Sequence, residues 1–308
     1  MGAALAVAGS ALVVVLGATA PDVGWVGAAL VTLVPWVPAL VGVLAVACMV
    51  LREPGLVVAA LLVGLGAGAL VAPRATGGAE RCDGGTPLTV AQLNVRRAGA
   101  DPGRVVDLVA TRRVQLLSLQ EVDADLLGAL AVAGLDGLLP ELVAEPTGGV
   151  SGGSIHAFAP LLPTRPTASD GGSPDVVVDV PGLGPVRVDT SHPVPPIGPE
   201  RHDAWRATLA GLPAPTPDTP SLLLGDLNAT LDHGPLQQLL QRGWRDAAAT
   251  VGQGLRWTYL GVAVGTPAPP MAIDHVLVGP GVAVVDAWVA DVPGTDHRML
   301  GADLLLGC

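Results

Sequence analysis

The chain of 308 residues contains no lysine, so its 16 basic side chains other than histidine are all arginine. Aspartate and glutamate together number 27, which gives a formal net charge of −11 at pH 7. Proteins that hold long stretches of nucleic-acid backbone do so with clustered lysine and arginine. The charge balance therefore argues against extended duplex DNA or RNA as the natural partner.

Charged side chains are also scarce at the start of the chain. The only ones before residue 73 are Asp22, Arg52 and Glu53. Three apolar runs fit membrane-spanning helices, at 3–20, 26–50 and 55–72, since a bilayer core requires about 20 apolar residues in a helix. Nothing polar inside these runs indicates a transport path, so a membrane anchor over 1–72 is favoured over a transporter subunit.

The orientation of this anchor follows from its loops. Arg52 is the only basic residue in a short loop, which predicts a cytoplasmic position for it and an extracellular position for residue 73 onward. An alternative is a signal peptide over residues 1–20, because Ala18-Thr19-Ala20 has the small-x-small pattern of a cleavage site. No basic residue precedes the apolar run, however, and Pro21 would follow the cut.

Cysteine is rare, with three residues in the chain. Cys48 lies in the second apolar run, whereas Cys82 and Cys308 flank the remainder of the chain. An extracellular compartment permits disulfides. A Cys82–Cys308 bridge would tie the two ends of this region together, and the alternative is two unpaired thiols.

From residue 73 onward the composition is that of a soluble globular protein. Residues 73–86 are predicted to be a linker, and a domain follows over 87–308. The predicted strands are 88–95, 114–120, one after Ser154 that contains His156 and Phe158, 176–180, 185–190, a run ending at Asp226, 272–278, 283–290 and 299–306. The predicted helices begin at Asp101-Pro102 or span 124–134, 199–211 and 235–242. Strands first alternate with helices and then form hairpins, which predicts an α/β domain with two mixed sheets flanked by helices.

One strand carries a distinctive ending. The apolar run Leu222–Leu224 leads into Gly225, Asp226, Leu227 and Asn228. Alternation on an extended chain puts Asp226 and Asn228 on the same side of the strand end. The carboxylate can hold a metal, a water or a proton, and the amide can donate to an anionic oxygen. Because Asp-x-Asn also opens ordinary turns, this pair has to be judged together with other residues.

Similar polar residues lie in or beside other apolar strands. These are Asn94, Glu121, His192, Asp226, Asn228 and Asp274, and Asp296 and His297 precede the last strand. Polar groups so close to buried runs need partners. If they converge, their oxygen atoms suit Mg²⁺ or Mn²⁺.

The blocks that carry these residues resemble, in order and spacing, those of the endonuclease/exonuclease/phosphatase superfamily, which has a DNase I-like fold. The blocks are strand-Asn94, Ser118–Glu121, Ser191-His192, Gly225–Asn228, Ile273–His275 and Gly294–Arg298. The resemblance covers about residues 87 to 306. It implies a four-layered α/β sandwich and metal-dependent cleavage of phosphate esters with Mg²⁺ or Mn²⁺. The preceding helices are similar to those of bacterial membrane-bound members.

The resemblance also implies a role for each residue. For the metal it implies Glu121 as the principal ligand, with Asn94 and Asp296 assisting. For catalysis it implies that Asp226 deprotonates the attacking water, that Asn228 contacts the phosphate, and that Asp274 orients His297. His297 and His192 would donate to the phosphate from two sides. A tyrosine that assists the phosphate in some relatives has no obvious counterpart here.

Together these features predict a membrane-anchored extracellular domain that hydrolyses phosphate esters as a phosphodiesterase, nuclease or phosphatase. The substrate class is left open between a lipid head group, a nucleotide and a nucleic acid. The alternative is a binding or scaffold module of the same fold that has lost catalysis.

Overall fold

The computed structural model of the chain describes residues 2–19, 24–147, 149–165, 174–265 and 268–308. Residue 20, the predicted end of the first spanning helix, and Asp22 lie outside the described residues. The N-terminal helices are α1 (Gly2–Thr19), α2 (Gly24–Val31), α3 (Val37–Val50) and α4 (Pro54–Val71). Between α2 and α3 the backbone tightens into a 3₁₀ turn at Val34–Trp36, where a proline lacks the N–H of a continuous α-helix.

These helices are apolar around their whole circumference, as expected for segments that contact lipid. Three stretches are long and apolar enough to cross a membrane: Gly2–Thr19, Gly24–Val50 and Pro54–Arg74. Many of their large side chains are exposed in the isolated chain, including Leu65 and Val50. The three stretches agree closely with the three predicted runs.

The rest of the chain forms strands and short helices. The strands are β1 (Thr86–Asn94), β2 (Leu116–Gln120), β3 (Glu141–Glu145), β4 (Gly153–Ala157), β5 (Leu161–Arg165), β6 (Asp175–Val180), β7 (Gly184–Thr190), β8 (Ser221–Asp226), β9 (Arg245–Asp246), β10 (Asp274–Val278), β11 (Val282–Asp291) and β12 (Arg298–Leu306). The helices are α5 (Pro102–Arg112), α6 (Ala124–Val132), α7 (Leu135–Leu138), α8 (Pro199–Gly211), α9 (Gly234–Gln241) and α10 (Ala247–Thr250).

The strands form two mixed six-stranded sheets, with strand orders β11-β12-β1-β2-β4-β3 and β5-β6-β7-β8-β10-β9. Their inner faces share one apolar core, to which Val90 contributes from the first sheet and Val188 from the second. Two further clusters cover the outer faces beneath α5 and α6 and beneath α8 and α9. The predicted four-layered α/β sandwich is confirmed.

Sequence alternation explains how β8 is placed in the centre of its sheet. Leu222 and Leu224 belong to the core between the sheets, whereas Leu223 packs outward beneath the helices. A strand buried on both faces reads as a continuous apolar run, and β8 has this pattern up to Gly225. Asp226 then ends the strand where the inner core gives way to polar residues.

The N-terminal helices contact the sandwich directly. Two hydrogen bonds of 2.7 and 2.5 Å join the guanidinium of Arg74, just beyond α4, to the carboxylate of Asp232, which is 1% exposed. The ring of Trp36 stacks on that of Trp257 with centroids 5.0 Å apart. The helices and the sandwich therefore touch at two separate points, one beyond α4 and one between α2 and α3.

Between α4 and β1 the chain runs along the sandwich rather than through solvent. The backbone N–H of Gly78 donates to the carbonyl of Thr250 at 3.1 Å. The backbone N–H of Glu80 donates to Val284 O at 2.8 Å, and its carboxylate accepts from Val284 N at 2.9 Å. The segment 73–86 is therefore fixed at several points to the domain that follows it.

A disulfide joins Cys82 to Cys308 across a sequence separation of 226 residues, with their Cα atoms 5.5 Å apart. The bridge ties the start of β1 to the end of β12, which pair as neighbours. The predicted Cys82–Cys308 bridge is confirmed. Cys48 has a free thiol and is buried within the helical bundle.

We expect the disulfide to stabilise the full chain by about 3–5 kcal/mol, because it closes a very long loop in the unfolded state. Chemical unfolding in detergent micelles, followed by tryptophan fluorescence with and without reductant, measures this contribution. Cys308→Ser should lower the midpoint and abolish its dependence on reductant. Cys48→Ala removes a thiol without removing a cross-link, so its midpoint should still respond; an unresponsive wild-type chain would contradict the expectation.

A further contact between the helices and the sandwich, from His233 to α2, depends on a neutral histidine. The Nδ1 of His233 accepts from Thr230 N at 2.8 Å, and its Nε2 lies 3.1 Å from the carbonyl of Ala28 in α2. The proton therefore resides on Nε2. Burial lowers the pKa of His233 to about 4, below its ordinary value of 6.5.

The folded state thus binds fewer protons at His233 than the unfolded state between pH 6.5 and 4. The stabilisation is complete above pH 6.5 and is lost as the pH falls toward 4. We expect the difference in unfolding free energy between the wild-type chain and His233→Leu to shrink by about 2 kcal/mol from pH 7 to pH 4.5. Denaturant unfolding at both pH values measures it, and a difference that does not change with pH would contradict the assignment.

Candidate active site

Two aspartates face each other across the central strands of the second sheet. β8 and β10 are antiparallel, and Asp274 is paired with Asp226 in their register. Asp274 therefore lies at the start of its strand, beside the end of β8, and both side chains are 2% exposed. Two like charges directly opposite each other across a ladder repel, so the site needs a positive partner.

His297 supplies that partner. Its Nδ1 lies 2.9 Å from Asp274 Oδ2, and its Nε2 lies 3.6 Å from Asp226 Oδ2. Burial acts against the charged ring, but attraction to Asp274 and Asp226 outweighs it and raises the pKa of His297 to about 10. The imidazole is therefore a cation held between two carboxylates.

The two aspartates respond to this environment in opposite directions. Burial favours the neutral form of Asp274, but the charge of His297 and hydrogen bonds to the carboxylate outweigh it and lower the pKa of Asp274. For Asp226, burial is the largest effect and raises the pKa, with repulsion from Asp274 acting in the same direction. Of the two carboxylates, Asp226 is the one prepared to accept a proton.

Asn94, at the end of β1, links the two sheets. Its Nδ2 donates to Glu121 Oε1 and to Asp226 Oδ2, both at 3.0 Å. Its Oδ1 accepts from the backbone N–H of Arg96 at 2.9 Å, which fixes the direction of the amide. Two carboxylate oxygens from different sheets thus converge on one nitrogen.

Backbone conformation helps to aim these side chains. Glu121 has φ +62° and Asn228 has φ +48°, both in the left-handed region that non-glycine residues seldom adopt. The remaining Glu121 oxygen, Oε2, accepts from the backbone N–H of Arg97 at 2.9 Å. Strained residues of this kind persist where the surroundings fix them, and they cluster at functional sites.

His192 follows β7 and reaches the same place from the other side. Its Nε2 lies 3.6 Å from Asp226 Oδ2 and 3.8 Å from Glu121 Oε1. The two imidazoles, His192 and His297, therefore stand at equal distances from one carboxylate oxygen of Asp226. Such a pair can donate to an anion from two directions.

The remaining two predicted residues are placed less centrally. The amide nitrogen of Asn228 donates to the carbonyl of Pro193 at 3.0 Å, and its backbone N–H donates to Asp226 Oδ1 at 2.9 Å. Asp296 pairs with the guanidinium of Arg96 at 3.4 Å. Asn228 and Asp296 therefore lie at the border of the site. The structure brings the other six predicted residues into one connected set of contacts: Asn94, Glu121, His192, Asp226, Asp274 and His297.

Several residues of the site carry no signal that the sequence analysis detected. The Nε2 of Gln92, which is fully buried in β1, donates to Asp274 Oδ1 at 2.9 Å. The hydroxyl of Thr258 accepts from Asp274 N at 3.1 Å. The ring of Tyr259 lies 5.1 Å from that of His297. Gln92 lies two residues before Asn94 on the same strand face, and this spacing could have revealed it.

The donor atoms present suit a divalent cation. One oxygen or nitrogen from each of Asp226, Asp274 and His297 lies within 4.8 Å of the others, which could hold a metal. The Nδ1 of His297, however, is already engaged with Asp274. The carboxylate of Glu121, which is fixed by Asn94 and by the backbone N–H of Arg97, offers the oxygen atoms that a hard cation prefers.

The family of the chain follows from comparison with known proteins. Residues 91–297, which include all eight predicted site residues but not the apolar helices, match the model of the endonuclease/exonuclease/phosphatase family. The chain belongs to this family. Its members are phosphoesterases and nucleases that typically use divalent metals. Curated proteins provide no match to the chain.

Solved structures agree with this fold. An endonuclease/exonuclease/phosphatase from Beutenbergia cavernae is 21% identical, with a TM-score of 0.53 and 72% of each chain covered. D. rerio TDP2 complexed with single-strand DNA product is 15% identical, with a TM-score of 0.55 and 71% of this chain and 99% of that chain covered. The 3′ phosphatase NExo from Neisseria, bound to a product DNA hairpin, is 18% identical, with a TM-score of 0.50 and 70% and 98% covered.

Gly225 lets β7 and β8 approach closely enough to place Asp226. Its φ is +153°, and a Cβ would lie 2.0 Å from the carbonyl oxygen of Ser191. We expect Gly225→Ala to lower the unfolding free energy by about 2 kcal/mol or more, because the strands must separate. Gly128→Ala, whose Cβ meets open space in α6, should be neutral or stabilising by up to about 1 kcal/mol.

Denaturant unfolding of both variants in detergent micelles makes this comparison. Equal stabilities for Gly225→Ala and Gly128→Ala would show that the close approach of the two strands is not required.

Proposed function

We propose that the chain is a membrane-anchored hydrolase of phosphate esters that depends on Mg²⁺ or Mn²⁺. The observation that carries this proposal is the contact among six polar side chains from both sheets at one end of the sandwich. Two carboxylates joined through Asn94, a histidine cation and a second imidazole offer what phosphoryl transfer requires: positioning of the attacking water and neutralisation of the phosphate oxygens.

Asp226 would position the attacking water and accept its proton. The carboxylate is buried at the centre of the site, and its raised pKa makes it a stronger base. The backbone N–H of Asn228 holds one of its oxygens, so the other remains directed toward the two imidazoles. Asn228 would contact the scissile phosphate from the border of the site.

His297 would donate to a phosphate oxygen as negative charge builds during the reaction. Asp274 orients its ring through Nδ1, which leaves Nε2 directed toward Asp226 and the reacting group. Gln92 in turn holds the second oxygen of Asp274, so it acts as a positioning residue. His192 would donate from the opposite side.

Glu121, assisted by Asn94 and Asp296, would hold the divalent cation. When bound, such a cation neutralises charge on the phosphate and polarises its oxygens. Glu121 is fixed for this task by its left-handed backbone and by hydrogen bonds to both carboxylate oxygens. Four carboxylates lie in and around the site, Glu121, Asp226, Asp274 and Asp296, and a divalent cation would balance negative charge there.

We further propose that residues 1–72 anchor the protein in the bilayer, that 73–86 connect the anchor to the enzyme, and that 87–308 are the catalytic domain outside the cell. Arg52 in the short loop between α3 and α4 supports a cytoplasmic position for that loop. The Cys82–Cys308 disulfide supports an oxidising compartment for the domain. TDP2 and NExo are bound to DNA in the solved structures, but the absence of lysine here favours small or local phosphate esters.

The full chain in detergent micelles should hydrolyse bis(4-nitrophenyl) phosphate or 4-nitrophenyl phosphate. Activity should vanish with a chelator and return with Mg²⁺ or Mn²⁺. Asp226→Asn and His297→Ala should each reduce kcat by about 10²–10⁴-fold, because each removes a proton-transfer or charge-stabilising group. Release of 4-nitrophenol measures all three effects.

Asp107→Asn is the matched control, since Asp107 is an exposed aspartate that pairs with Arg104 on α5. It should leave kcat unchanged. Activity that survives both site substitutions would contradict the assigned residues. Absence of metal-dependent activity on a broad panel of esters would favour the alternative of a binding or scaffold module.

A further inference from the structure

The outer boundary of the membrane can be located on the helical bundle. α3 and α4 are antiparallel neighbours, and a Cβ on Gly64 would meet Val41 at 2.9 Å. Val34 lies seven residues before Val41, and Val71, where α4 ends, lies seven residues after Gly64. Because the helices are antiparallel, both steps run about 10 Å in the same direction along the bundle, so Val34 and Val71 lie at the same level. Gly17, near the end of α1, also adjoins Val34. The end of α1, the start of α3 and the end of α4 therefore lie at the same level.

Trp36 lies at this boundary and joins it to the catalytic domain. Tryptophan favours the interface between membrane and water, where its ring is partly apolar and partly hydrated. The ring of Trp36 stacks on Trp257, and Leu255 packs against the apolar cluster of the bundle. The loop that carries Leu255 and Trp257 therefore lies at the level of the lipid head groups.

This same loop leads directly to the candidate active site. Tyr259 is two residues beyond Trp257, which is at most about 7 Å along the chain. Its ring contacts that of His297, and its backbone bridges to the same residue. On another side of the site, Asp232 pairs with Arg74 only six residues after Asp226. The anchor thus holds the site next to the bilayer.

Exposed apolar side chains lie on loops that adjoin residues of the site. Half of the ten large exposed apolar residues in the described part of 86–308 belong to three loops at this end of the sandwich. We call them the apolar rim: Val150, Val194, Ile197, Trp257 and Val262. The loop of Val150 is hydrogen-bonded to Val122, next to Glu121. The loop of Val194 and Ile197 begins at His192, and the loop of Trp257 and Val262 contains Tyr259.

Ile197 is 70% exposed and Val262 is 61% exposed. Exposed apolar side chains grouped beside an active site are typical of a surface that binds a membrane or another partner. The rim is continuous with the contact between anchor and domain, because Trp257 belongs to both. The surface most suited to cover the rim is the bilayer that holds the helices of the same chain.

We infer that the active site opens onto the membrane surface and that its substrate is a phosphate ester of a membrane lipid. This inference rests on the proposed phosphoesterase function. A lipid phosphorus lies within the head-group layer, which is about 5 to 8 Å thick on each side of the hydrocarbon core. The rim loops contact this layer and bring Asp226 and the two imidazoles to its surface.

The reaction is a hydrolysis in which atoms balance without a further reactant. The oxygen of a water molecule bonds to phosphorus, and the phosphorus–oxygen bond to the lipid or to its head group breaks. Asp226 takes one proton of the attacking water and later returns it to bulk water, and the departing oxygen takes a proton from bulk water and leaves as an alcohol. The products are a phosphate-bearing fragment and an alcohol, one of which stays in the membrane.

The test uses the full chain in vesicles of phosphatidylcholine, phosphatidylglycerol and phosphatidylinositol in equal parts, with Mg²⁺ or Mn²⁺. Phosphorus-31 NMR follows cleavage of these lipids, and bis(4-nitrophenyl) phosphate reports cleavage of a water-soluble ester. Ile197→Asp combined with Val262→Asp places two charges on the rim. Val132→Asp is the control, because Val132 is 91% exposed on α6, away from the rim.

We expect the rim variant to lose lipid cleavage by at least about tenfold, because charged side chains are excluded from the apolar part of the interface. Its cleavage of the soluble ester should stay within about twofold of wild type, since the rim does not contact the reacting atoms. The control should keep both activities. This pattern would support the inference.

Cleavage of the soluble ester without cleavage of any of the three lipids would overturn the inference and leave the proposed function intact. So would a rim variant that cleaves lipid as fast as wild type. Failure to cleave both kinds of ester would instead overturn the proposed function, and the inference with it.

A spectroscopic measurement tests the contact with lipid independently of activity. A nitroxide label is attached at Ile197→Cys or, as control, at Val132→Cys, each in a chain that also carries Cys48→Ala. In vesicles, the label at position 197 should be relaxed by oxygen more than by a water-soluble nickel complex, and the label at position 132 should show the reverse. A label at position 197 as accessible to nickel as the control would contradict the inference.

Discussion

The site depends on the attraction between one histidine cation and two buried aspartates. Asp226 and Asp274 oppose each other across β8 and β10, where two like charges out of water would destabilise the sheet. His297 offsets this repulsion from the start of β12, and Gln92 reaches Asp274 from the first sheet. The polar residues that define the site therefore also hold the two sheets together at this end.

The same region connects the enzyme to its anchor. The chain passes from Asp226 to Asp232, which binds Arg74, and from Trp257, which stacks on Trp36, to Tyr259 beside His297. A buried, bidentate pair between Arg74 and Asp232 is costly to break, because the remaining carboxylate would be left without a partner. The segments 226–232 and 257–259 therefore connect the helices to the site over only a few residues each.

Much of this architecture could be predicted from the residue pattern. Apolar runs located the three spanning stretches and β8, alternation located β1, and the turn at Gly182–Gly184 located the hairpin that contains β7. The short edge strands β3, β5 and β9 were missed, since their exposed faces leave little pattern. The spacing of Gln92 from Asn94 indicated its strand face but not its partner. The contacts of Tyr259 and Arg74 could not be predicted, because they join residues far apart in sequence and depend on how the layers pack.

The central claim is that Glu121, assisted by Asn94 and Asp296, holds a divalent cation. Titration of Mn²⁺ into the full chain in detergent, followed by electron paramagnetic resonance, measures this binding directly. The account predicts binding to the wild-type chain, a Kd at least about tenfold higher for Glu121→Gln, and an unchanged Kd for Asp203→Asn, an exposed aspartate on α8. Equal Mn²⁺ affinity in all three chains would contradict it.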